Sequence, residues 1–134
     1  MPLISVIVPT RERCDTLGPT LKTLCNQTFP DCEFIVSDNA SEDNTKAVVA
    51  AIDDPRLRYI RTPTRVSMTA NFNFAIEHAQ GTYVMTIGDD DGLTLGALGA
   101  LSDLIRQTNA DAISWHKATY LWPNYPLEDM RNSL

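Results

Sequence analysis

The sequence lacks the features that mark several large classes of protein. With 11 basic against 17 acidic residues, its net charge of -6 leaves no basic surface for broad nucleic-acid binding. No apolar run approaches the roughly 20 residues that a membrane-spanning helix needs. The three cysteines, Cys14, Cys25 and Cys32, have no zinc-type spacing, which indicates reduced thiols. We therefore expect neither a nucleic-acid-binding protein nor a transmembrane or disulfide-stabilised one.

Several glycine-dependent motifs are also missing. The six glycines form no Walker A loop, no GxGxxG fingerprint and no GxSxG nucleophile elbow. An EF-hand would need an acid at position 87 and a glutamate at position 98, which hold Ile87 and Leu98. A sugar-nucleotide pyrophosphorylase would need a glycine-rich first loop with a basic residue, which the chain does not have.

What the sequence does contain is a regular alternation of strand-like and helix-like segments. Because each return to a parallel strand needs a crossover, this alternation predicts an α/β fold, a three-layer α/β/α sandwich around a mostly parallel sheet. A length of 134 residues corresponds to about one domain. The predicted strands cover residues 4–8, 34–37, 57–61, 83–87 and 112–115, and the last predicted helix covers residues 93–106.

The most informative segment is the Gly-Asp-Asp-Asp-Gly run at residues 88–92, directly after the fourth predicted strand. Adjacent carboxylates raise one another's pKa unless a cation, a helix N-terminus or water compensates their charge. One interpretation is therefore a divalent-cation site. The other is a solvated acidic turn that caps the next helix.

Two further loops are expected to lie beside this acidic run, because ligands of open parallel sheets bind beyond the carboxyl ends of the strands. They cover residues 9–13 and 38–44, and each contains a carboxylate. Asp38, at the end of the second strand, is either a ligand-binding residue or an Asx-turn or helix N-cap residue. Four arginines within ten residues form either an anion site or a solvated strand face: Arg56, Arg58, Arg61 and Arg65.

Several segments, in order along the chain, together carry a family resemblance. Residues 5–12 read Ser-Val-Ile-Val-Pro-Thr-Arg-Glu, residues 27–28 read Gln-Thr, and residues 33–45 read Glu-Phe-Ile-Val-Ser-Asp-Asn-Ala-Ser-Glu-Asp-Asn-Thr. They resemble the opening of glycosyltransferase family 2, whose members adopt the GT-A fold. Residues 71–84 and 88–93 are similar to the segment that leads into that family's DxD motif. The resemblance covers roughly residues 3–115 and is found particularly in members that make bacterial surface polysaccharide.

The resemblance implies an inverting, metal-dependent glycosyltransferase in bacterial polysaccharide synthesis. Such an enzyme transfers a sugar from a UDP-, dTDP- or CDP-linked donor to a glycan or lipid-linked acceptor. Mg²⁺ or Mn²⁺ is the expected cofactor, because the departing nucleoside diphosphate carries negative charge that must be neutralised. The expected location is the cytoplasm, including the inner face of the membrane. The alternative is a non-catalytic nucleotide-binding or interaction module that retains the donor half.

The resemblance also assigns roles to individual residues. Asp38 matches the carboxylate that accepts a hydrogen bond from a pyrimidine N–H, and Arg65 lies where family members contact the nucleotide. The residues that match the loop lining the base and ribose are Pro9, Thr10, Arg11 and Glu12.

The acidic run matches the DxD region, with one departure from the usual pattern. An alignment on the flanking strand and helix puts Gly88 at the first aspartate of DxD and Asp90 at the last, whereas a literal match to DxD makes Asp89 and Asp91 the pair. Asp90 is therefore the first candidate for the metal and Asp91 the second. Asp89 is expected to contact the ribose or the donor sugar.

The expected domain organisation is a nucleotide-sugar-binding domain at residues 1–116 and a tail at residues 117–134 that begins a truncated acceptor region. The acids of this tail are Glu128 and Asp129, and neither is favoured as the catalytic base, which the sequence does not identify. Three aromatic residues of the tail predict self-association if they are exposed: Tyr120, Trp122 and Tyr125.

Overall fold

The computed structural model describes residues 1–115. The predictions for the tail, including those for Glu128, Asp129 and the three tail aromatics, lie outside the described residues. The division into residues 1–116 and 117–134 stays a prediction. In chain order the elements are β1 (Ile4–Thr10), α1 (Cys14–Cys25), β2 (Cys32–Asp38), α2 (Thr45–Ala50), β3 (Leu57–Arg61), α3 (Met68–Glu77), β4 (Tyr83–Thr86) and α4 (Ala97–Thr108).

The four strands form one parallel sheet in the order β3-β2-β1-β4. Val6 of β1 lies between Phe34 of β2 and Met85 of β4 in the register of the sheet. After β3, at one edge, the chain crosses β2 and β1 to add β4 on the other side of β1. The strand order therefore changes direction between β1 and β4, which is where ligands bind in open α/β sheets.

Apolar side chains cover both faces of the sheet, and the predicted α/β class is confirmed. One face of β1 and β2 packs against buried leucines, valine and isoleucine of α1, α2 and α4. The other face, with Ile7 and Ile35, packs against Ala75 of α3. Because both faces are buried, β1 and β2 have nearly continuous apolar runs. Full burial of such side chains contributes about 1.5–3 kcal/mol each.

The fifth predicted strand, at residues 112–115, is wrong. These residues are irregular, and within residues 1–115 β4 pairs only with β1. A strand requires backbone pairing with a neighbour, and the short apolar pattern could not supply it. Ile113 instead packs against the main core, while Trp115 is 55% exposed.

The last helix begins later than predicted, at Ala97 instead of residue 93. The side chains of Thr23, in α1, and of Gln27, just after it, hydrogen-bond to the backbone at Leu93 and Thr94 and so hold these residues in a loop. Gly96 then takes a left-handed conformation, with φ of 80°, immediately before the helix. Among residues 1–115, none of the helices is long and apolar enough to cross a membrane.

Candidate functional site

A cleft with a volume of about 1310 Å³ opens at the carboxyl ends of β1 and β4. Small-molecule pockets usually have volumes of roughly 300–1,000 Å³, so this cleft has room for an extended ligand. One side is polar and is formed by the loop after β1 and by residues 88–92, which we call the acidic loop. The other side is apolar and includes Leu101 and Leu104 of α4.

The acidic loop is held against the end of β1 by Thr10 and Arg13. The Thr10 hydroxyl donates a hydrogen bond of 2.7 Å to Asp89 Oδ2. Arg13 Nε lies 3.1 Å from Asp89 Oδ1, and Arg13 Nη2 lies 2.5 Å from Asp90 Oδ2. The cation that balances the adjacent carboxylates in this structure is therefore a residue of the same chain, which the sequence analysis did not identify.

Asp89 differs from its two neighbours because it is buried, with only 7% of its surface exposed. Burial raises the pKa of Asp89 above its ordinary value, although the Thr10 hydrogen bond and the Arg13 charge act in the opposite direction. Both of its oxygens already accept contacts from the protein. The protein therefore holds the Asp89 carboxylate through both of its oxygens in the cleft wall.

Asp90 and Asp91 converge on Gly88. A Cβ atom built at Gly88 would lie 2.9 Å from Asp90 Oδ1 and 2.9 Å from Asp91 Oδ2. The glycine therefore leaves space into which two carboxylate oxygens from different residues project. Asp91 Oδ2 also accepts a hydrogen bond of 3.1 Å from the Gly88 N–H, which closes the turn.

This arrangement fits a divalent ion whose coordination shell is only partly supplied by the protein. Within residues 1–115, no group of three or more His, Cys, Asp or Glu side chains lies close enough to hold a metal ion. Mg²⁺ commonly binds through one or two carboxylates, with phosphate oxygens and water as the other ligands. The acidic turn does not cap α4, whose N-cap is Gly96. The capping part of the alternative interpretation is therefore wrong, while Asp90 and Asp91 do lie exposed in and beside a turn.

A row of polar side chains on α1 and directly after it holds the acidic loop and the residues that follow. Thr20 Oγ1 lies 3.0 Å from the Asp89 carbonyl oxygen and 2.7 Å from that of Asp91. Thr23 Oγ1 accepts a hydrogen bond from the N–H of Leu93. Just beyond the end of α1, the Gln27 side chain donates to the carbonyl of Thr94 and accepts from the N–H of Leu98. Thr20 and Thr23, three residues apart, share one face of α1.

The loops after β1 and β2 are joined through Glu12 and Asp43. The Glu12 carboxylate accepts hydrogen bonds from the N–H groups of Glu42 and Asp43 and pairs with Arg65. Asp43 accepts from the N–H groups of Cys14 and Thr45, at the starts of α1 and α2. Although burial acts to raise the pKa of Asp43, hydrogen bonds from Thr45 and Cys14 outweigh it and bring the pKa to about 2. Asp43 thus stabilises the starts of two helices.

Asp38 lies at the end of β2, fully buried. Its Oδ1 accepts a hydrogen bond of 2.9 Å from the Ser41 N–H, which closes a turn. Its Oδ2 accepts from the Tyr59 hydroxyl and, at 2.9 Å, from Arg61 Nη1. These contacts support the turn interpretation of Asp38, and the base contact stays a prediction.

The neighbouring Asn39 positions the segment that precedes α3. Its side-chain amide donates to the Val66 carbonyl at 2.9 Å and accepts from the Val66 N–H at 2.8 Å. This pair of bonds imitates a strand-to-strand contact and fixes Val66 and Ser67 along the cleft wall. Ser67 is also the N-cap of α3, where its hydroxyl accepts from the Ala70 N–H.

The four clustered arginines are each paired with a carboxylate, which favours a structural role over an anion site. Arg56 pairs with Asp54 and donates to carbonyl oxygens at the end of α1. The other three pairs are Arg58 with Glu33, Arg61 with Asp38, and Arg65 with Glu12.

The chain matches a known family of proteins along most of its length. The family model described as glycosyl transferase family 2 matches residues 5–131. The chain belongs to glycosyltransferase family 2. It is 41% identical over 104 residues to the GalNAc(5)-diNAcBac-PP-undecaprenol beta-1,3-glucosyltransferase of Campylobacter jejuni, a match that covers 75% of this chain and 34% of that protein.

Solved structures show the same family fold. The crystal structure of S. aureus TarS with UDP-GlcNAc matches with a TM-score of 0.76 at 26% identity, over 83% of this chain and 33% of that chain. The Pyrobaculum calidifontis mannosyltransferase with GDP-Man and Mn²⁺ matches with a TM-score of 0.70 at 25% identity, over 78% and 32%. The chain therefore spans about a third of the length of the relatives that it matches.

The family assignment predicted from the sequence is confirmed, while the roles of single residues stay predictions. Among the predicted site residues, the cleft wall contains Pro9, Thr10, Arg11, Asp89 and Asp91. The remaining four do not line the cleft: Asp90 pairs with Arg13 near it, and Glu12, Asp38 and Arg65 form contacts between loops.

Sequence reasoning missed the contacts of Arg13, of Asn39 and of the polar row. A signal existed for part of the row, because Thr20 and Thr23 share one face of a leucine-rich helix. For Arg13 the signal was its position at the end of the first loop, on the same edge of the sheet as the acidic loop. No sequence pattern indicates that Asn39 pairs with Val66.

Proposed function

We propose that this chain forms the donor-binding part of a metal-dependent, inverting glycosyltransferase. In this proposal the cleft holds a nucleotide-sugar, and the acidic loop holds its diphosphate and a Mg²⁺ or Mn²⁺ ion. The acceptor is a glycan or a lipid-linked sugar of bacterial surface polysaccharide. The name of the Campylobacter relative, which refers to an undecaprenol-linked substrate, supports a lipid-linked acceptor.

The single observation that carries the proposal is the convergence of Asp90 and Asp91 above Gly88, at the change in strand order between β1 and β4. Two carboxylate oxygens there leave most of an ion's coordination shell to other ligands. A diphosphate supplies such ligands, and the neighbouring cleft has room for the rest of a nucleotide-sugar. The complexes of structural neighbours with UDP-GlcNAc and with GDP-Man and Mn²⁺ support this pairing of ligands.

The proposed roles follow from the positions of the side chains. Asp90 and Asp91 would hold the ion, which would neutralise the charge of the departing nucleoside diphosphate. Asp89, fixed by Thr10, would accept a hydrogen bond from a ribose or sugar hydroxyl. Arg11, exposed in the cleft wall, would contact the nucleotide.

We assign recognition of the nucleotide's pyrimidine ring to Asp38. A UDP-, dTDP- or CDP-linked donor would present an N–H or amino group to the loop that Asp38 closes. Because Asp38 Oδ2 already accepts from Tyr59 and Arg61, the base contact requires an additional lone pair or a shift of the exposed Arg61. Glu12 and Arg65 would not touch the ligand; their ion pair would fix the loops after β1 and β3 that lie beside the cleft.

The test is calorimetric titration of UDP, dTDP, CDP and GDP into the protein, each with and without Mn²⁺. We expect a pyrimidine nucleotide to bind in a Mn²⁺-dependent manner, and we expect this binding to be lost in Asp90→Ala and in Asp91→Ala. Asp103→Ala, which removes an exposed carboxylate from α4 outside the cleft wall, is the matched control and should bind like wild type.

A parallel measurement of donor hydrolysis separates the two functional classes. Turnover of a UDP-sugar would support the transferase, whereas metal-dependent binding without turnover would favour the non-catalytic nucleotide-binding module. Failure of every nucleotide to bind would contradict both. The cytoplasmic location and self-association stay predictions that this experiment does not address.

A further inference from the structure

Arg13 lines the cleft, but none of the roles proposed above for the donor site involves it. Its guanidinium bridges Asp89 Oδ1, at 3.1 Å, and Asp90 Oδ2, at 2.5 Å. The side chain is 48% exposed and lines the cleft. One positive charge therefore already sits on the carboxylates that would attract a divalent ion.

Arg13 and Asp90 can each form further contacts while the bridge between them is in place. A guanidinium has five N–H donors, and the two contacts to the acidic loop use only part of them. Asp90 keeps Oδ1 directed toward the space above Gly88, where Asp91 Oδ2 also projects. Asp90 can consequently contact Arg13 through one oxygen and an ion through the other, while Arg13 can still donate to an anion.

We propose that Arg13 couples metal binding to nucleotide binding; this inference rests on the proposed function. Without the diphosphate, the guanidinium repels a second cation that shares the carboxylate of Asp90. When the diphosphate binds, its oxygens contact both cations and remove that repulsion. Guanidinium groups suit this role because they match phosphate oxygens with paired N–H donors. Arg13 is thus a positioning residue that makes the two ligands bind together.

Lys22, exposed on α1 and absent from the cleft wall, provides a comparison of equal charge away from the bridge and outside the proposed donor site.

The test is a double titration followed by the electron paramagnetic resonance signal of free Mn²⁺, which reports metal binding independently of turnover. The Mn²⁺ dissociation constant is measured without UDP and with saturating UDP, and the ratio of the two constants is the coupling factor. For Arg13→Gln we expect the coupling factor to fall about five- to twentyfold below wild type. In this variant, Mn²⁺ alone should bind at least as tightly as it does to wild type.

Two further variants determine whether the effect belongs to the bridge. Arg13→Lys, which keeps the charge, should retain most of the coupling. Lys22→Gln should change the coupling factor by less than about twofold, because Lys22 lies outside the cleft wall and has no contact with the acidic loop. An unchanged coupling factor in Arg13→Gln, or an equal fall in Lys22→Gln, would overturn the inference.

The wild-type titrations distinguish failure of this inference from failure of the proposed function. Wild-type protein that binds Mn²⁺ and UDP independently of each other would overturn the coupling alone. Wild-type protein that binds neither ligand would overturn the donor site and the coupling with it.

Discussion

The hydroxyl of Thr20 in α1 hydrogen-bonds directly to the backbone of the acidic loop. The substitution Thr20→Val removes this hydroxyl and changes the shape of the side chain very little. Thr20 is fully buried, and its single proton serves the carbonyl oxygens of Asp89 and Asp91. Loss of a buried hydrogen-bond donor costs about 1–3 kcal/mol, because the acceptor stays buried without a partner. The added methyl group offsets part of this cost, about 0.8 kcal/mol at most.

We therefore expect Thr20→Val to lower the free energy of unfolding by about 1–2 kcal/mol. For a domain of this size each kcal/mol corresponds to about 4 °C, so Tm should fall by about 4–8 °C. Urea denaturation and calorimetric melting measure the two quantities. Metal-dependent UDP binding should weaken as well, because the loop that bears the carboxylates loses its support.

Two controls separate the hydroxyl from other effects of the substitution. Thr20→Ser keeps the hydroxyl and loses a methyl group, so it should lose stability through the small cavity but keep UDP binding close to wild type. Thr28→Val makes the same change at an exposed position and should alter stability by less than about 0.5 kcal/mol. A Thr20→Val protein with wild-type Tm and wild-type UDP affinity would refute the reasoning.

Three other substitutions test separate parts of the structure. Gly88→Ala places a Cβ 2.9 Å from a carboxylate oxygen of Asp90 and 2.9 Å from one of Asp91. The displaced carboxylates should lower the Mn²⁺ affinity, measured with UDP bound, about tenfold. Because these side chains can move, Tm should change by less than about 2 °C. Gly81→Ala places a Cβ 2.6 Å from the backbone nitrogen of Ser5, so urea denaturation should show a loss of about 2–3 kcal/mol, and wild-type stability would contradict this packing. Hydrogen bonds hold the pKa of Asp43 at about 2, below its ordinary value of 3.8. The Asp43 carboxylate therefore adds to the free energy of unfolding above about pH 5, and this contribution is lost as the pH falls through about 2. Asp43→Asn should therefore flatten the decline in unfolding free energy between about pH 5 and pH 2, and an unchanged decline would contradict this role.

The sheet could be predicted from the sequence because burial on both faces leaves a simple pattern. Strands β1 and β2 are nearly continuous runs of β-branched and aromatic residues bounded by polar loops. The same rule fails for residues 112–115, where a similar run lacks a partner strand among the described residues. A local pattern reports the tendency to extend, but pairing depends on residues distant in sequence.

The location of the candidate site was also predictable, because the carboxyl ends of parallel strands meet at one edge of a sheet. This rule alone brings the loops after β1, β2 and β4 together. The contacts within the site were not predictable, because they depend on tertiary geometry of about 1 Å. Asp38 shows the limit: a strand-ending aspartate fits both a turn and a ligand contact, and the sequence does not indicate that this one is buried against Tyr59 and Arg61.

The start of α4 illustrates a different limit. The sequence predicts a helix from residue 93. Hydrogen bonds from Thr23 of α1 and from Gln27, just after α1, to the backbone of Leu93 and Thr94 instead keep these residues in a loop. Tertiary hydrogen bonds here override local propensity, which is a weak preference of less than about 1 kcal/mol per residue. The loop that results gives the acidic segment its position in the cleft.

The most direct test of the central claim, that the acidic loop holds the metal and the diphosphate, is paramagnetic broadening of assigned backbone amide signals. Substoichiometric Mn²⁺ is added to the protein saturated with UDP, and the broadened signals mark the residues nearest the ion. We expect the signals of Gly88, Asp90 and Asp91 to broaden first and those of Thr10 and Arg13 next. In Asp90→Asn and Asp91→Asn this broadening should disappear. Broadening centred at the opposite edge of the sheet, or none with UDP bound, would contradict the account.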